Sequence, residues 1–253
     1  MEIVSVVNGY EQMFWTYVNN DPIDYYFFIL DWIQRKEETK IFLVVEGKEV
    51  LGSLLLFANH IVQFRGDKQA VQKLLDYANL ENFELQAPPD CEDIILRKYK
   101  PRIKQDMVLM RLNRGEEQVR ITKAPSRLSV EDTNEVSALM RRCDPEWWGE
   151  ITSEQLKERW QNTFWLGIKQ EGKLVSVGNT RFVDFASNIG VVATDEHYRG
   201  RRYATSIVSA LVKEILKRSS IALIHVIADN APAVRAYSNV GFRPYKTYVS
   251  IRS

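Results

Sequence analysis

Apolar residues in "IVSALVKEIL" fall at Ile207, Val208, Leu211, Val212, Ile215 and Leu216, while Ser209, Lys213 and Glu214 lie elsewhere. That spacing keeps one face of a helix apolar and predicts a helix packed on a sheet, entered near Arg201 to Tyr203. Short apolar runs about tight turns predict strands instead. "IFLVVEGKEVLGSLLLF", residues 41 to 57, reads as two strands about a turn at Glu46, Gly47 and Lys48. "FWLGIKQEGKLVSVGNTRFV" repeats the device around Glu171, Gly172 and Lys173. Next, "HIVQFRGDKQAVQKLLDYA" predicts strand, Arg65-Gly66, helix, and the later half predicts strand, Arg199-Gly200, helix. "CEDIILRKY", ending at Tyr99, and "NAPAVRAYSNVGF", carrying Tyr237, are both short helical stretches before a final strand, at "MVLMRL" and "YKTYVSIR". The offsets from Glu46 to Glu171, Arg65 to Arg199 and Tyr99 to Tyr237 drift only slightly, as in a diverged tandem repeat. The boundary is expected in the polar stretch "NRGEEQ", which divides the chain into residues 1–115 and 116–253.

The second half carries the informative helix ends. "SVEDTNEVSALMRR" starts with Ser129 as N-cap, has Asp132 in its first turn and ends on Arg141 and Arg142, all favourable to the helix dipole. A second helix is expected near Ser153. Between them lies "CDPEWWGE", where Trp147 and Trp148 either bury the loop or wall a pocket. Further on, Asn230 can cap a helix with Pro232 in its first turn, one face bearing Ala233, Ala236, Tyr237 and Val240, with Gly241 at C′. At the helix entered near Tyr203, the unpaired amides of the first turn coincide with Arg199, Arg201 and Arg202. Such an end attracts anions, so a phosphate-bearing ligand accounts for it, and Gly200 lets the backbone come close or take a positive φ.

Composition narrows the classes. At 45% hydrophobic and 26% charged residues, the chain is expected to be a soluble globular protein. A formal net charge of +1 argues against a broadly basic nucleic-acid binder, and "RGRR" lacks interleaved aromatics, so no nucleic-acid partner is expected. "YYFFIL" followed by "DWI" is far shorter than the ~20 residues needed to span a bilayer, and no basic leader precedes it. Neither a membrane partner nor a targeting signal is expected. Cys91 and Cys143 form no CxxC, and His60, His197 and His225 are scattered without ligand spacing. No disulfide framework or metal site is expected, and a reducing cytoplasm is the simplest home.

Two motifs then stand together: Arg199-Gly200-Arg201-Arg202-Tyr203-Ala204 after a strand, and Asn230, Ala233, Tyr237, Gly241 and Phe242 on a later helix. The combination resembles the GNAT superfamily of N-acyltransferases, whose Arg/Gln-x-x-Gly-x-Gly/Ala loop binds the pyrophosphate of acetyl-CoA. The resemblance covers roughly residues 120 to 253, and the first half looks like a degenerate copy, as in the glycine N-acyltransferase-like branch. It implies an α/β fold (α+β layered) of two tandem GNAT-like domains, each a mixed, mostly antiparallel sheet flanked by helices. It also implies that the sheet splays between residues 189 to 194 and 221 to 228 to admit the cofactor. By resemblance, acetyl-CoA is held by the backbone of Val191, Val192, Ala193 and Thr194, by Arg199, Gly200, Arg201, Arg202, Tyr203, Ala204 and Thr205, and by Asn230, Ala233 and Tyr237. Tyr237 would give a proton to the departing thiolate.

The family usually has glycine where this chain has Arg202. The first half departs further, with Asp67 and Lys68 after Gly66 and no capping Asn or Gly-Phe around Tyr99, so it is expected to bind no cofactor and to serve as a structural partner or substrate-side wall. Family members often carry a glutamate on the strand before the loop, yet "ASNIGVV" has no carboxylate. Candidate bases are Asp184, Glu146, Glu150 and His197, and Cys143 is a packed thiol or an acyl-accepting nucleophile. The expected reaction is transfer of an acetyl group to a primary amine, a small-molecule amine being favoured over a peptide amine. A CoA-binding scaffold without turnover is the alternative, and oligomeric state is not legible.

Overall fold

The computed structural model describes all 253 residues. The chain divides into two compact units, Met1–Val108 with Lys246–Ser253, and Leu109–Tyr245. The first contains β1 (Glu2–Ser5), α1 (Glu11–Val18), α2 (Tyr26–Gln34), β2 (Thr39–Glu46), β3 (Glu49–Phe57), β4 (Ile61–Gly66), α3 (Lys68–Tyr77), β5 (Glu84–Ala87), α4 (Glu92–Lys98) and the start of β6 (Ile103–Asn113). The second contains the rest of β6, then β7 (Ser126–Arg127), α5 (Thr133–Cys143), α6 (Pro145–Trp148), α7 (Ser153–Trp160), β8 (Phe164–Gln170), β9 (Lys173–Arg181), β10 (Ser187–Thr194), α8 (Tyr203–Leu216), β11 (Ile221–Ile227), α9 (Ala231–Ser238) and the first residues of β12 (Arg243–Arg252). The hairpins expected about Gly47 and Gly172 are β2–β3 and β8–β9, both antiparallel.

In the first unit the strand order is β1-β2-β3-β4-β5-β12. Pairing is antiparallel except between β4 and β5. Val62 and Phe64 of β4 share one face and pack with Val71, Leu74 and Leu75 of α3 and Ile94 and Ile95 of α4. These side chains are at most 4% exposed, and truncating any one of the leucines costs roughly 2–5 kcal/mol. Strand β12 closes this sheet by pairing Val249 with Ala87 and Arg252 with Glu84. The fold therefore divides differently from the linear cut expected at residue 115. The last strand of the chain is used by the first unit, because β5 offers an edge that β12 satisfies.

In the second unit the order is β6-β11-β10-β9-β8-β7, with β10 and β11 parallel. Side chains alternate across a strand, so the two faces of β9 separate cleanly. Val177 joins Val136, Leu139 and Met140 of α5 and Leu156 of α7, where Trp160 and Trp165 stack at 5.2 Å. Gly178, on the other face, is where Ile207 and Leu211 of α8 approach. Helix α8 is buried on more than its apolar stripe: Ser206 and Ser209 are fully buried and accept hydrogen bonds from the backbone N–H groups of Thr122 (3.1 Å) and Arg120 (3.0 Å). The segment before β7 is thus strapped along the helix by its serines. The periodicity places Ser209 off the apolar face, and the strap explains why it is buried there. No helix is long and apolar enough to cross a membrane.

Candidate active site

Helix α8 begins without a capping side chain. Arg202 is its N-cap, with φ 62° and ψ 22°, in the left-handed region. This conformation costs a residue with a Cβ about 1–2 kcal/mol, whereas Gly200, at φ 77°, takes a positive φ freely. The first helical bond is donated by Ser206 N–H to the Arg202 carbonyl (3.0 Å). The amides of Tyr203, Ala204 and Thr205 precede it and have no carbonyl four residues back within the helix. Helices α1, α2, α4 and α5 likewise have no capping side chain, whereas Asp67 accepts from Ala70 N–H at α3 (2.8 Å) and Asn230 accepts from Ala233 N–H at α9 (3.2 Å). The positive end of α8 stays open, with exposed Arg199, Arg201 and Arg202 around it.

The loop into α8 is tethered by a buried carboxylate, that of Asp195. Asp195 is 5% exposed. It accepts from His197 N–H (3.2 Å) and lies 3.3 Å from Arg142 and 3.7 Å from Lys173. Burial opposes ionisation of this carboxyl, but the His197 amide, Lys173 and Arg142 outweigh it and hold Asp195 below the usual carboxylate range. Arg142, expected simply to complement a helix dipole, thus joins the end of α5 to the loop. Arg199 donates through Nε to the Thr194 carbonyl (3.2 Å), and the Arg201 guanidinium lies 5.1 Å from the Tyr198 ring.

Strand β10 forks from β11. Their parallel register runs Ser187↔Ala222, Asn188↔Leu223, Ile189↔Ile224 and goes no further. On the other side, β10 stays paired with β9 through Val192↔Gly178, Ala193↔Val177 and Thr194↔Ser176, with a bulge between Ile189 and Val192. Asn179 fills that bulge, its Oδ1 accepting from Val191 N–H (2.8 Å), and Gly190 lies exposed beside it. Of the backbone expected to meet the cofactor, Val191 therefore has its N–H engaged within the sheet. At the fork, His225 Nδ1 lies 3.2 Å from Asn188 Oδ1.

Tyr237 is 7% exposed on α9, with its ring edge against Phe242 at 6.4 Å. Burial pushes its phenol up to about 12, so it is fully protonated near neutral pH and able to donate. Gly241, expected at C′, lies one residue beyond it, because α9 ends at Ser238 with Asn239 as C-cap. Its φ of 111° and its closeness to the Glu116 carbonyl, 2.5 Å from where a Cβ would stand, leave room only for glycine. Asp184, Glu146, Glu150 and His197 are all exposed. Burial raises the Cys143 thiol, with Arg199 opposing, so the packed-thiol reading fits it better than the nucleophile. No group of three or more His, Cys, Asp or Glu side chains could hold a metal ion.

The counterpart positions in the first unit are filled from within. Arg65 is 2% exposed at the end of β4. It donates to Asp24 (2.5 Å), to the Phe64 carbonyl (2.9 Å) and to Gln86 (3.0 Å), and its guanidinium lies 4.1 Å from the Tyr248 ring. Tyr248 donates to the same Asp24 oxygen (2.7 Å). Tyr99 packs on Phe83 at 4.7 Å.

The open terminus of α8 thus follows a forked pair of parallel strands. Residues 133–242, which lie within the second unit, match the acetyltransferase (GNAT) family. Acyl transfer from CoA is that family's chemistry. The fold is similar to that of a GNAT-family acetyltransferase from Colwellia psychrerythraea (13% identity, 100% of this chain and 99% of that one, TM-score 0.59). It is also similar to a GCN5-related N-acetyltransferase from Sphaerobacter thermophilus (16%, 88% and 83%, TM-score 0.60). A third similar structure is a tandem GNAT protein from the clavulanic acid biosynthesis pathway (13%, 85% and 82%, TM-score 0.54). No curated protein matches the sequence.

Proposed function

We propose that the second unit binds acetyl-CoA and transfers its acetyl group to a primary amine by direct attack on the thioester. The observation that carries this reading is Arg202. Where the family usually has glycine, this chain keeps the glycine-like left-handed backbone and leaves the helix uncapped behind it. Strain of this kind persists only where the surroundings over-determine it, and an arginine here adds a guanidinium able to reach a phosphate. Arg199 through Thr205 would hold the pyrophosphate on the α8 amides, and Val192 to Thr194 would meet the pantetheine arm. Asn230 and Ala233, with Tyr237, would line the end of α9 toward the thiol. The bound thioester supplies an activated acyl carbon.

Tyr237 holds its proton to high pH and so suits protonation of the departing sulfur. The first unit is a structural partner that binds no CoA, because Arg65 is committed to Asp24 and the Asp67 carboxylate occupies the α3 terminus. The acceptor is a small-molecule amine rather than a peptide terminus, and the cytoplasm is its site of action. Tyr237→Phe should lower kcat at least about 100-fold with acetyl-CoA affinity within a few-fold. Turnover is read as CoA thiol released in the presence of an amine panel and a peptide library. An unchanged rate removes Tyr237 from the chemistry, and turnover of peptides alone overturns the small-molecule preference. A scaffold without turnover, suggested by a strand that lacks a carboxylate, would release no thiol with any acceptor.

A further inference from the structure

We propose that Arg127 and Arg218 form an anion site at the far end of α8 from its open start, and that the ligand is a phosphate dianion, free or esterified. Arg127 pairs with Leu166 and Leu166 with Gly178, the residue that α8 approaches, so Arg127 projects from the α8 face of the sheet. Phe164, two residues before Leu166, projects from that face too. The Arg127 guanidinium lies 4.0 Å from the centre of the Phe164 ring, which is 5.2 Å from the centre of the Phe182 ring; the Arg218 guanidinium lies 4.0 Å from the latter. Helix α8 ends at Leu216, two residues before Arg218, and its 14 residues put this stack ~20 Å from Tyr203.

What sets the pair apart is like charge without a counter-charge. Arg127 donates one hydrogen bond, to the Trp165 carbonyl (3.1 Å), and the Arg218 guanidinium has neither a hydrogen bond nor an ion pair. Both arginines are exposed. Asp184, in the loop after Phe182, pairs with neither, and Lys217 takes Glu214 (2.6 Å). Burial first, and the charge of Arg218 second, pull the Arg127 guanidinium below the usual arginine range. The negative end of α8 accounts for Arg218 and for Arg114, which donates to the Ser219 carbonyl (3.1 Å), but not for Arg127, which comes from β7. Unrestrained side chains would swing apart, yet these are held. Stacking on phenylalanine fixes each guanidinium plane and leaves its N–H edge for an oxyanion. Beneath them, buried Ser187 accepts from Val183 N–H (3.1 Å) and its Oγ lies 3.2 Å from Ser219 Oγ, so the residues next to Phe182 and Arg218 are tied together. Two guanidiniums held this way complement two negative charges. A phosphate monoester carries about −1.5 to −2 near pH 7 with three acceptor oxygens, enough for both forks, whereas a phosphodiester carries a single charge.

The experiment follows the guanidinium carbons of the full chain by carbon-13 spectroscopy during titration with glycerol 3-phosphate, inorganic phosphate and dimethyl phosphate. Arg127→Gln and Arg218→Gln assign the two signals, and thermal midpoints close to that of the wild type show that both variants fold. In the wild type the two signals should move together along one binding curve. Either replacement should weaken binding, read at the arginine that remains, at least about tenfold. Dimethyl phosphate, a monoanion, should bind at least about tenfold more weakly than the dianions. Tighter binding of glycerol 3-phosphate or of inorganic phosphate supports the site in either case and names the source of the group. Because the readout is at Arg127 and Arg218, phosphate settling at Arg199 to Arg202 does not count, and the result stands whether or not the chain transfers acyl groups. Signals that stay in place at millimolar phosphate, that titrate independently of each other, or that respond equally to dimethyl phosphate overturn the proposal. So does a preference for a single-stranded DNA oligonucleotide over both dianions.

Discussion

At the scale of single residues, the protein's unusual choice is Arg202. Replacing it with glycine removes a left-handed strain of about 1–2 kcal/mol and restores unfolded-state entropy worth about 0.5–1 kcal/mol. Arg202→Gly should therefore leave the thermal midpoint unchanged or slightly raised, with acetyl-CoA binding intact. Arg202→Val, β-branched and poorly suited to this region, should weaken binding at least tenfold. Calorimetry and a melting curve check both, and equal binding by the valine variant would mean that the backbone conformation is irrelevant. The buried tyrosines set a second expectation. Tyr237 is raised by burial to about 12, and Tyr17, Tyr25, Tyr99 and Tyr248 are raised too. A folded-state pKa above the unfolded value means that the unfolded chain loses its proton first. The stabilisation is then complete below about pH 10 and is lost as pH rises through the folded values. For Tyr237 alone the loss between pH 10 and 12 is on the order of 2–3 kcal/mol. Urea midpoints should fall steeply above pH 10, and a flat profile would contradict the burial.

Elements show which parts of the site sequence patterns can reveal. The Arg199–Ala204 loop and the Asn230 cap are local, set by chain-neighbour spacing, and both are legible as helix starts: α8 opens at Tyr203 and Asn230 caps α9. Asp195 is not legible that way. Its meaning comes from a partner 53 residues away, Arg142. Removing the Asp195 carboxylate should loosen the loop more than it unfolds the unit, because Arg142 and Lys173 are about half exposed and can be resolvated. Asp195→Ala should cost about 1–2 kcal/mol of stability and weaken acetyl-CoA binding several-fold, read by urea titration and calorimetry. Asn230→Ala should cost about 1 kcal/mol through the lost cap. No change in either variant would show that the loop and α9 are held by packing alone.

For the whole molecule, the tandem pattern of hairpin, strand, Arg-Gly and helix is readable because it repeats local features. The destination of the last strand is not, since strand pairing depends on which edge is open rather than on sequence order. With β12 paired to β5 and the second unit starting within β6, a fragment of residues 116–253 lacks one strand and carries another without its partner. That fragment should fail to unfold cooperatively, as followed by circular dichroism against urea, whereas a well-folded fragment would contradict the division described here. The central claim is that the open end of α8 is a pyrophosphate site in the second unit alone. Calorimetric titration of the intact chain with acetyl-CoA and then with S-acetylpantetheine, which lacks the phosphates, tests it most directly. The account predicts saturable acetyl-CoA binding at one site per chain. It predicts affinity at least about 100-fold weaker for acetylpantetheine, as expected from losing two charge-assisted hydrogen bonds of about 1.5 kcal/mol each. No acetyl-CoA binding, two sites per chain, or equal affinity for the two compounds would contradict it.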